Sequence, residues 1–257
     1  NIQLGVRILG VDWNKGAGAH IVLVGHTDGK FKLIKKWIIN PDEFKQTAAV
    51  EKVIQINNEW TPEFIYIDEG YGDMQYEMLI KHGLQNPPSK LDKKVKKINM
   101  SNKIEIKNPK DGSVERKWAK GFMYLNMAKL LQDSLLVLPQ SEDTNSVLDD
   151  SVASAVGIVQ QMREVELKKS SSIARAQFIC PVDHTITAYG LALLGFTLNY
   201  SAYLKQQLSS AIFIGADYKP ITSFAGSRSK DLQNIDRSLT KDKLQDRLDK
   251  VPKLEDI

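Results

Sequence analysis

The feature that most constrains the fold is a strand–turn–strand pattern near the start of the chain. Two apolar segments, residues 20–26 (HIVLVGH) and 31–39 (FKLIKKWII), flank a short polar stretch centred on Asp28-Gly29. Asp-Gly between two such segments favours a tight hairpin, because both residues tolerate positive φ. Residues 6–13 (VRILGVDW) form another apolar segment just before them, so three consecutive antiparallel strands are predicted.

After these strands the sequence alternates between helical and strand-like patterns. Helices are predicted from Pro41 onward, from the glycines after residue 68 to Gly83, and over 115–133, 145–167 and 181–196. Strands are predicted over 63–68, 135–139 and 176–180. Early antiparallel strands followed by strands that alternate with helices indicate an α/β fold. The expected central sheet is mixed, antiparallel in its first three strands and then parallel, with helices on its flanks.

The charge of the chain is nearly balanced overall but not locally. Its 257 residues carry 35 Lys and Arg against 31 Asp and Glu, so the net charge of +4 says little about partners. Residues 90–120 alone hold eleven Lys and Arg against four Asp and Glu. The overlapping stretch 84–113 is polar and broken by three prolines, and we expect it to be a basic loop or hairpin insertion.

A change of composition divides the chain. Residues 1–204 contain the predicted strands and are expected to form one folded domain, whereas the polar residues 205–257 are expected to form a flexible tail. The single cysteine, Cys180, excludes an intramolecular disulfide and suits a reducing compartment. No apolar run reaches transmembrane length, and no signal-peptide pattern is present. Since the chain begins with Asn1 rather than Met, we expect a fragment of a longer protein.

Three aspartates stand out by their position. Asp12 ends the first strand, Asp68 ends the fourth, and Asp183 precedes the last helix. If the first and fourth strands are parallel neighbours, their two aspartates lie at one edge of the sheet, and the last helix can bring the third. Three close carboxylates repel one another unless a cation neutralises them, and oxygen-rich clusters of this kind bind Mg²⁺ or Mn²⁺. Each aspartate taken alone also fits a turn or a helix cap, which is the simpler alternative.

An acidic cluster of this kind predicts phosphodiester hydrolysis. Two metal ions roughly 3.5–4 Å apart can activate a water and stabilise the leaving oxygen. Glu69 and His184, each next to one of the aspartates, are the candidate auxiliary ligands. Asp149 and Asp150 are interpreted as charges at the start of a helix, where acidic residues are favourable. The histidines that lack metal-ligand spacing, and to which no chemistry is assigned, are His20, His26 and His82.

The ordered motifs resemble those of a known family. ILGVDWN, a hairpin, IYIDEGYGD and a late helix that begins at an aspartate are together similar to a ribonuclease-H-like nuclease. More closely, IDEGYG followed by LLQDSLLVLP and DHTITAYGLAL resembles the nuclease domain of bacteriophage terminase large subunits, over about residues 6–196. The resemblance implies that Asp12, Asp68 and Asp183 bind the catalytic metal ions. Many relatives carry a second acid four residues after the last aspartate, where this chain has Thr187.

The resemblance also implies a function and partners. The implied enzyme is a Mg²⁺- or Mn²⁺-dependent endodeoxyribonuclease, with two ions in its active complex, that cuts double-stranded DNA with low sequence specificity during viral genome packaging. Its implied partners are double-stranded DNA, the portal protein, the small terminase subunit and an ATPase domain outside this chain. The phosphate-loop pattern G-x-x-x-x-G-K-[ST] of that ATPase does not occur in this sequence. The implied location is the host cell cytoplasm, at the procapsid, with no membrane partner.

The lysines of the basic segment are candidate DNA contacts. Binding of phosphates by lysine is electrostatic and carries no sequence information, which suits an enzyme that cuts many sequences. A solvated loop is the alternative. Alternation over residues 102–107 (NKIEIK) predicts one arm of a β-hairpin beside the site. The candidate phosphate contacts are Lys93, Lys94, Lys96, Lys97, Lys103 and Lys107.

Other functions stay open at this point. VDWNKGAGAH and IDEGYGD weakly resemble the two phosphate loops of actin-like and sugar-kinase ATPases. That architecture requires two duplicated domains and a late glycine pair. This sequence is short for two such domains, and it lacks the late glycine pair. Recombination nucleases of the ribonuclease-H-like fold share the same motifs, and a structural docking module of this fold is a further alternative.

Overall fold

A computed structural model describes residues 5–107, 111–138, 158–168, 177–180 and 183–207 of the chain. Its strands are β1 (Arg7–Asn14), β2 (Gly18–Thr27), β3 (Lys30–Ile39), β4 (Phe64–Asp68), β5 (Val95–Ile98), β6 (Lys103–Lys107), β7 (Val114–Trp118), β8 (Leu136–Val137), β9 (Glu166–Lys168) and β10 (Gln177–Ile179). Its helices are α1 (Gln46–Trp60), α2 (Asp73–Gln85), a 3₁₀ turn (Pro87–Ser89), α3 (Leu91–Lys94), α4 (Ala119–Gln132), α5 (Ile158–Glu164) and α6 (His184–Gln207). None of the helices in the described ranges is long and apolar enough to cross a membrane.

Six strands form the central sheet, in the order β5-β4-β1-β2-β3-β8. β1, β2 and β3 are antiparallel neighbours, whereas β4 runs parallel to β1 and β5 runs parallel to β4. Asp28 and Gly29 form the turn between β2 and β3 with φ of 53° and 74°, the left-handed geometry that favours this dipeptide. The predicted α/β fold with a mixed sheet, antiparallel in its first three strands and then parallel, is confirmed.

Side chains alternate between the two faces of the sheet, so each inner strand contributes to two separate cores. On one face, Leu9 of β1 and Ile67 of β4 pack in the core that α1 and α2 cover. On the opposite face, Ile8 of β1 and Tyr66 of β4 pack against α4, α5 and α6. We call these the α1/α2 face and the α4/α6 face. The helices therefore enclose the sheet from both sides, as in other α/β folds.

The close contact between α6 and the sheet depends on Gly10. A Cβ at this position would overlap the backbone carbonyl oxygen of Ala188 and lie 2.8 Å from the backbone nitrogen of Ala192. Glycine therefore lets the helix backbone come within reach of β1. Because Asp12 follows two residues later on the same face, this contact holds the beginning of α6 near that aspartate.

Several predicted boundaries differ from the structure, and the largest difference is in the last helix, which continues to Gln207 rather than ending at residue 196. The first helix begins at Gln46 rather than at Pro41, because the backbone N–H of Phe44 bonds the Pro41 carbonyl in a turn. The helix predicted from residue 115 begins at Ala119, because the residues before it pair as β7 with β6. The strand predicted over 176–180 is β10, which pairs with β9 outside the central sheet.

The lysine-rich segment contributes to the sheet as well as to a hairpin. β5 pairs with β4 and forms the edge of the central sheet, with Val95 and Ile98 buried and Lys96 and Lys97 exposed. Immediately after it, β6 and β7 form a separate two-stranded hairpin. The stretch expected to be a loop or hairpin insertion therefore contains one strand that belongs to the main fold.

Some predictions fall outside the described residues. The helix predicted over 145–167 is described only from residue 158 onward, where it forms α5, and it ends at Glu164 because the residues after it pair as β9 with β10. Asp149 and Asp150 lie in the part of the chain that is not described, as do residues 208–257 of the predicted tail. The division of the chain at residue 204 stays a prediction.

Candidate active site

Asp68 is the last residue of β4, and Asp12 lies two residues before the end of the adjacent parallel strand β1, which continues to Asn14 rather than ending at the aspartate because Trp13 and Asn14 still pair with β2. The register of β1 and β4 pairs Gly10 with Tyr66 and Val11 with Ile67, and the next step along both strands places Asp12 beside Asp68. Both aspartates follow the alternation that puts Tyr66 on the α4/α6 face. The structure therefore brings these two carboxyl groups to the same edge and the same face of the sheet.

Asp183 reaches this edge from α6. Its carbonyl oxygen accepts the backbone N–H of Thr187 at 2.8 Å, so it occupies the position just before the first helical turn. Its side-chain oxygen Oδ2 accepts hydrogen bonds from Nζ of Lys120 at 2.7 Å and from the hydroxyl of Tyr124 at 3.2 Å. Both donors lie on α4. The third predicted aspartate is thus held between two helices that cover the same face.

The carboxyl groups influence one another electrostatically. Asp12 is 5% exposed, and burial raises its pKa to about 6, with smaller contributions in the same direction from Asp68 and Asp183. Burial is also the main cause that raises the pKa of Asp68; the charge of Asp183 adds to the effect and the charge of Lys120 opposes it. These mutual effects show that the three carboxyl groups share one electrostatic environment.

His184 binds Asp12 directly. Its Nδ1 lies 2.9 Å from Oδ2 of Asp12, and this hydrogen bond is the main cause that raises the pKa of the histidine. Glu69, the other candidate auxiliary ligand, has a different environment, because Nζ of Lys97 lies 2.9 Å from its carboxylate and 2.8 Å from that of Asp73. His184 therefore contacts the acidic cluster, whereas Glu69 forms a salt bridge beside α2.

A buried polar network lies beside these residues and was not found in the sequence. His20, to which no chemistry was assigned, pairs with Asp12 across β1 and β2, and its Nδ1 lies 2.8 Å from Oγ1 of Thr185. Its Nε2 lies 3.2 Å from the carbonyl oxygen of Ala17, and burial lowers its pKa to about 4. The ring is therefore neutral at pH 7, with Nε2–H as donor and Nδ1 as acceptor for the threonine hydroxyl.

Gln161 completes the network from α5. Its Oε1 accepts the backbone N–H of Ile186 at 2.9 Å, and its Nε2 donates to Oγ1 of Thr185 at 3.3 Å. A glutamine side chain thus satisfies one of the otherwise unpaired N–H groups at the beginning of α6. The antiparallel pairing of the first two strands was predicted from the sequence, but the register that places His20 opposite Asp12 comes from the structure, and the contribution of Gln161 depends on tertiary packing.

The predicted DNA-contact lysines do not share one environment. Lys94 donates to Oδ1 of Asn57 at 3.2 Å, and the side chain of Lys103 lies over the ring of Trp118. Lys97 forms the salt bridges described above. The remaining candidates, which are exposed, are Lys93, Lys96 and Lys107.

The donor atoms of the cluster suit a hard divalent cation. Among the described residues, no three His, Cys, Asp or Glu side chains are grouped as a metal site. Instead, His184 and Lys120 bind the oxygens of Asp12 and Asp183. Carboxylate oxygens on a strand pair and a helix end are the ligand type that Mg²⁺ and Mn²⁺ prefer. Both contacts use Oδ2 of their aspartate, so a metal ion that took this oxygen would displace the histidine or the lysine.

Comparison with known proteins gives matches among solved structures only. No protein-family model matches the sequence, and no curated protein matches it significantly. The large terminase of a thermophilic bacteriophage is 10% identical, and the match covers 76% of this chain and 41% of that protein, with a TM-score of 0.49. The chain is similar to terminase large subunits. It spans less than half the length of this one.

Two nuclease domains match over more of their own length. The g2p large terminase nuclease domain of bacteriophage SPP1, solved with bound Mn, is 10% identical over 75% of this chain and 88% of that domain, with a TM-score of 0.41. The nuclease domain of the large terminase subunit gp2 of bacterial virus Sf6 is 9% identical, and the match covers 74% of this chain and 88% of that domain, with a TM-score of 0.42. These similarities are too distant to assign an activity, which depends on the residues of this chain.

Proposed function

We propose that this chain is a terminase-type nuclease domain that cuts double-stranded DNA with low sequence specificity in a metal-dependent reaction. The observation that supports the proposal is the position of Asp12, Asp68 and Asp183 at one edge of the sheet. A buried carboxyl group with a raised pKa beside two further acids costs folding free energy, and such arrangements are typical of functional sites. The bonds to be hydrolysed are the phosphodiesters of the DNA backbone.

The metal ligands in this proposal are the three aspartates, and Mg²⁺ or Mn²⁺ is the proposed cofactor, with two ions in the active complex. When bound, such ions activate a water and stabilise the leaving oxygen. Asp12 would be a rigid ligand, because it is buried near the end of a central strand. Glu69 stays the candidate auxiliary ligand only if it leaves the salt bridge with Lys97.

Several side chains of this domain orient the proposed ligands. His184 holds Asp12 through its Nδ1, and the hydroxyl of Tyr124 holds Asp183. His20 and Thr185 fix the beginning of α6, from which Asp183 projects. Because these contacts are made by buried or half-buried groups on regular elements, the acids keep their relative positions without help from a flexible loop.

Contact with DNA is proposed for exposed lysines of the basic segment. Lys103 and Lys107 lie on the hairpin that follows the end of β5, where Ile98 pairs with Asp68. Lys93 and Lys96 flank the beginning of β5, farther from that edge of the sheet. Lysine contacts to phosphates hold a duplex without reading its sequence, which agrees with low specificity.

The proposed context is viral genome packaging in the host cytoplasm. The proposed partners are an ATPase domain, a portal protein and a small terminase subunit.

Incubation of supercoiled plasmid with the purified protein tests the activity. We expect nicked and then linear DNA in Mg²⁺ or Mn²⁺, and intact plasmid in excess chelator. The same preparation of an Asp12→Asn variant serves as the control for contaminating nucleases. Equal nicking in chelator and in metal would refute the metal mechanism, and intact plasmid under all conditions would refute the proposed activity of this domain by itself.

A further inference from the structure

Lys120 places a positive charge inside the acidic cluster. Its Nζ lies 2.7 Å from Oδ2 of Asp183. The same charge lowers the pKa of Asp68, against the stronger effect of burial, so it acts on two of the three acids. Lys120 was not among the lysines singled out in the sequence, because nothing in the basic segment distinguishes it from its neighbours.

The backbone of Lys120 is fixed, whereas its side chain has room to move. The backbone N–H of Ala119 donates to the carbonyl of Asn102 at 2.9 Å, and that of Lys120 lies 3.4 Å from the carbonyl of Met100. The first turn of α4 is thereby attached to the loop before the hairpin. The Lys120 side chain is 42% exposed, and its long flexible stem allows the ammonium to leave Asp183 without movement of the helix.

An ammonium and a divalent cation cannot both occupy the same face of Asp183 at low energy, because the two cations repel each other. We propose that Lys120 is the internal counter-ion of this cluster: it holds Asp183 before a divalent cation binds and competes with that cation for the carboxylate. The inference rests on the proposed function, since it takes Asp183 as a metal ligand. Its consequence is a site that keeps its geometry without metal but binds metal less tightly than three unpaired acids would.

Calorimetric titration of DNA-free protein with Mn²⁺ tests the competition. Lys120→Met removes the charge but keeps much of the stem, and we expect it to bind Mn²⁺ about two- to fivefold more tightly than the native protein, the factor that corresponds to a partly exposed ion pair. Lys120→Arg keeps the charge and should remain close to native affinity. Lys129→Met is the matched control on the same helix, because Lys129 pairs with Asp133 at 2.8 Å rather than with the cluster.

Thermal unfolding gives a second readout that does not depend on activity. In chelator, Lys120→Met is expected to melt below the native protein, because Asp183 has lost its counter-ion. In saturating Mn²⁺ this difference should disappear, because the metal then neutralises the same carboxylate. A lysine whose side chain only packs against its neighbours would give the same difference in melting temperature under both conditions.

The outcomes separate this inference from the proposed function. Unchanged or weaker Mn²⁺ binding by Lys120→Met, or a melting difference that persists in Mn²⁺, would overturn the counter-ion role. If the native protein binds Mn²⁺ with the expected shift in the variant but cuts no plasmid, the counter-ion role stands and the nuclease proposal fails. If the native protein binds no Mn²⁺, both are overturned.

Discussion

The two faces of the central sheet carry similar residues at the same edge but place them in different environments. On the α1/α2 face, Lys97 bridges Glu69 and Asp73 at the surface. On the α4/α6 face, Lys120 binds Asp183 beside a second aspartate that is 5% exposed, Asp12. Asp68 and Glu69 are neighbours in the sequence, yet alternation along the strand directs them to opposite faces.

This comparison shows that position, rather than residue type, distinguishes a structural ion pair from a candidate site. The exposed ion pairs of Lys97 on the α1/α2 face contribute little to stability, because water and salt screen them. On the α4/α6 face, burial raises the pKa of Asp12 to about 6, which makes its charged form costly. A protein keeps such a costly buried carboxylate where a cation or a reaction requires it. We therefore expect the same kind of mutation to have different effects on the two faces.

The largest expected difference is between acids on the two faces. Asp12→Asn and Asp183→Asn are each expected to lower metal-dependent plasmid cleavage by more than about 100-fold, because each removes a proposed metal ligand. Asp73→Asn should stay near native activity, since the ion pair of Asp73 is with Lys97 on the α1/α2 face and not with the acidic cluster. Asp149→Asn should also stay active, because Asp149 is interpreted as a favourable charge at the start of a helix and not as a metal ligand. Loss of cleavage in Asp73→Asn together with activity in Asp183→Asn would reverse the assignment of the two faces.

The pH dependence of stability tests the buried network on the α4/α6 face. The pKa of His20 is about 4 in the folded protein, against an ordinary value of 6.5. Between these two pH values the unfolded chain binds a proton that the folded protein does not bind. Stability should therefore fall as pH decreases from 6.5 toward 4. Relative to a His20→Gln variant, we expect a loss of about 2–3 kcal/mol in the free energy of unfolding between pH 7.5 and 4.5. Urea unfolding in chelator measures it, and parallel pH profiles for the two proteins would contradict it.

The approach of α6 to β1 gives the next prediction. Gly10→Ala should lower the free energy of unfolding by about 1–3 kcal/mol, because its Cβ would overlap the backbone of α6 at Ala188. It should also reduce cleavage, since the beginning of α6 carries Asp183. Gly16→Ala is the control, because a Cβ there would lie 3.4 Å from the side chain of Asn14 without a backbone contact. Equal stability of the two variants would show that α6 packs differently.

Much of this arrangement could be predicted from local sequence patterns. The apolar strands, the Asp28-Gly29 turn and Asp68 at the end of β4 depend on neighbouring residues, and the structure has all of them. Asp12 was expected to end the first strand, which continues to Asn14. β5 was missed because VKKI exposes two of its four residues, and its place is decided by pairing with β4. Lys120 and Gln161 were missed because each acts through a contact with α6, distant in sequence, that no local pattern indicates.

The smallest expected effects concern the lysines near β5. Each lost phosphate contact reduces the slope of log K against log[salt] by about 0.9, so a Lys93→Ala/Lys96→Ala double variant should change it by about 1.8. A Lys94→Ala/Lys97→Ala double variant should change it less, because both side chains are bound within the domain. Duplex binding measured between low and moderate salt, without cleavage-supporting metal, gives the slopes. Equal slopes for both variants would show that the internal pairs do not compete with DNA.

The central claim is that Asp12, Asp68 and Asp183 together hold a divalent cation, and direct titration with Mn²⁺ tests it most simply. Calorimetry on the native protein, on each of the three Asp→Asn variants and on Asp73→Asn needs neither DNA nor turnover. We expect the three variants to lose at least about tenfold in Mn²⁺ affinity and Asp73→Asn to bind as the native protein does. Native affinity in any of the three variants would contradict the assignment of that aspartate, and native affinity in all three would refute the site.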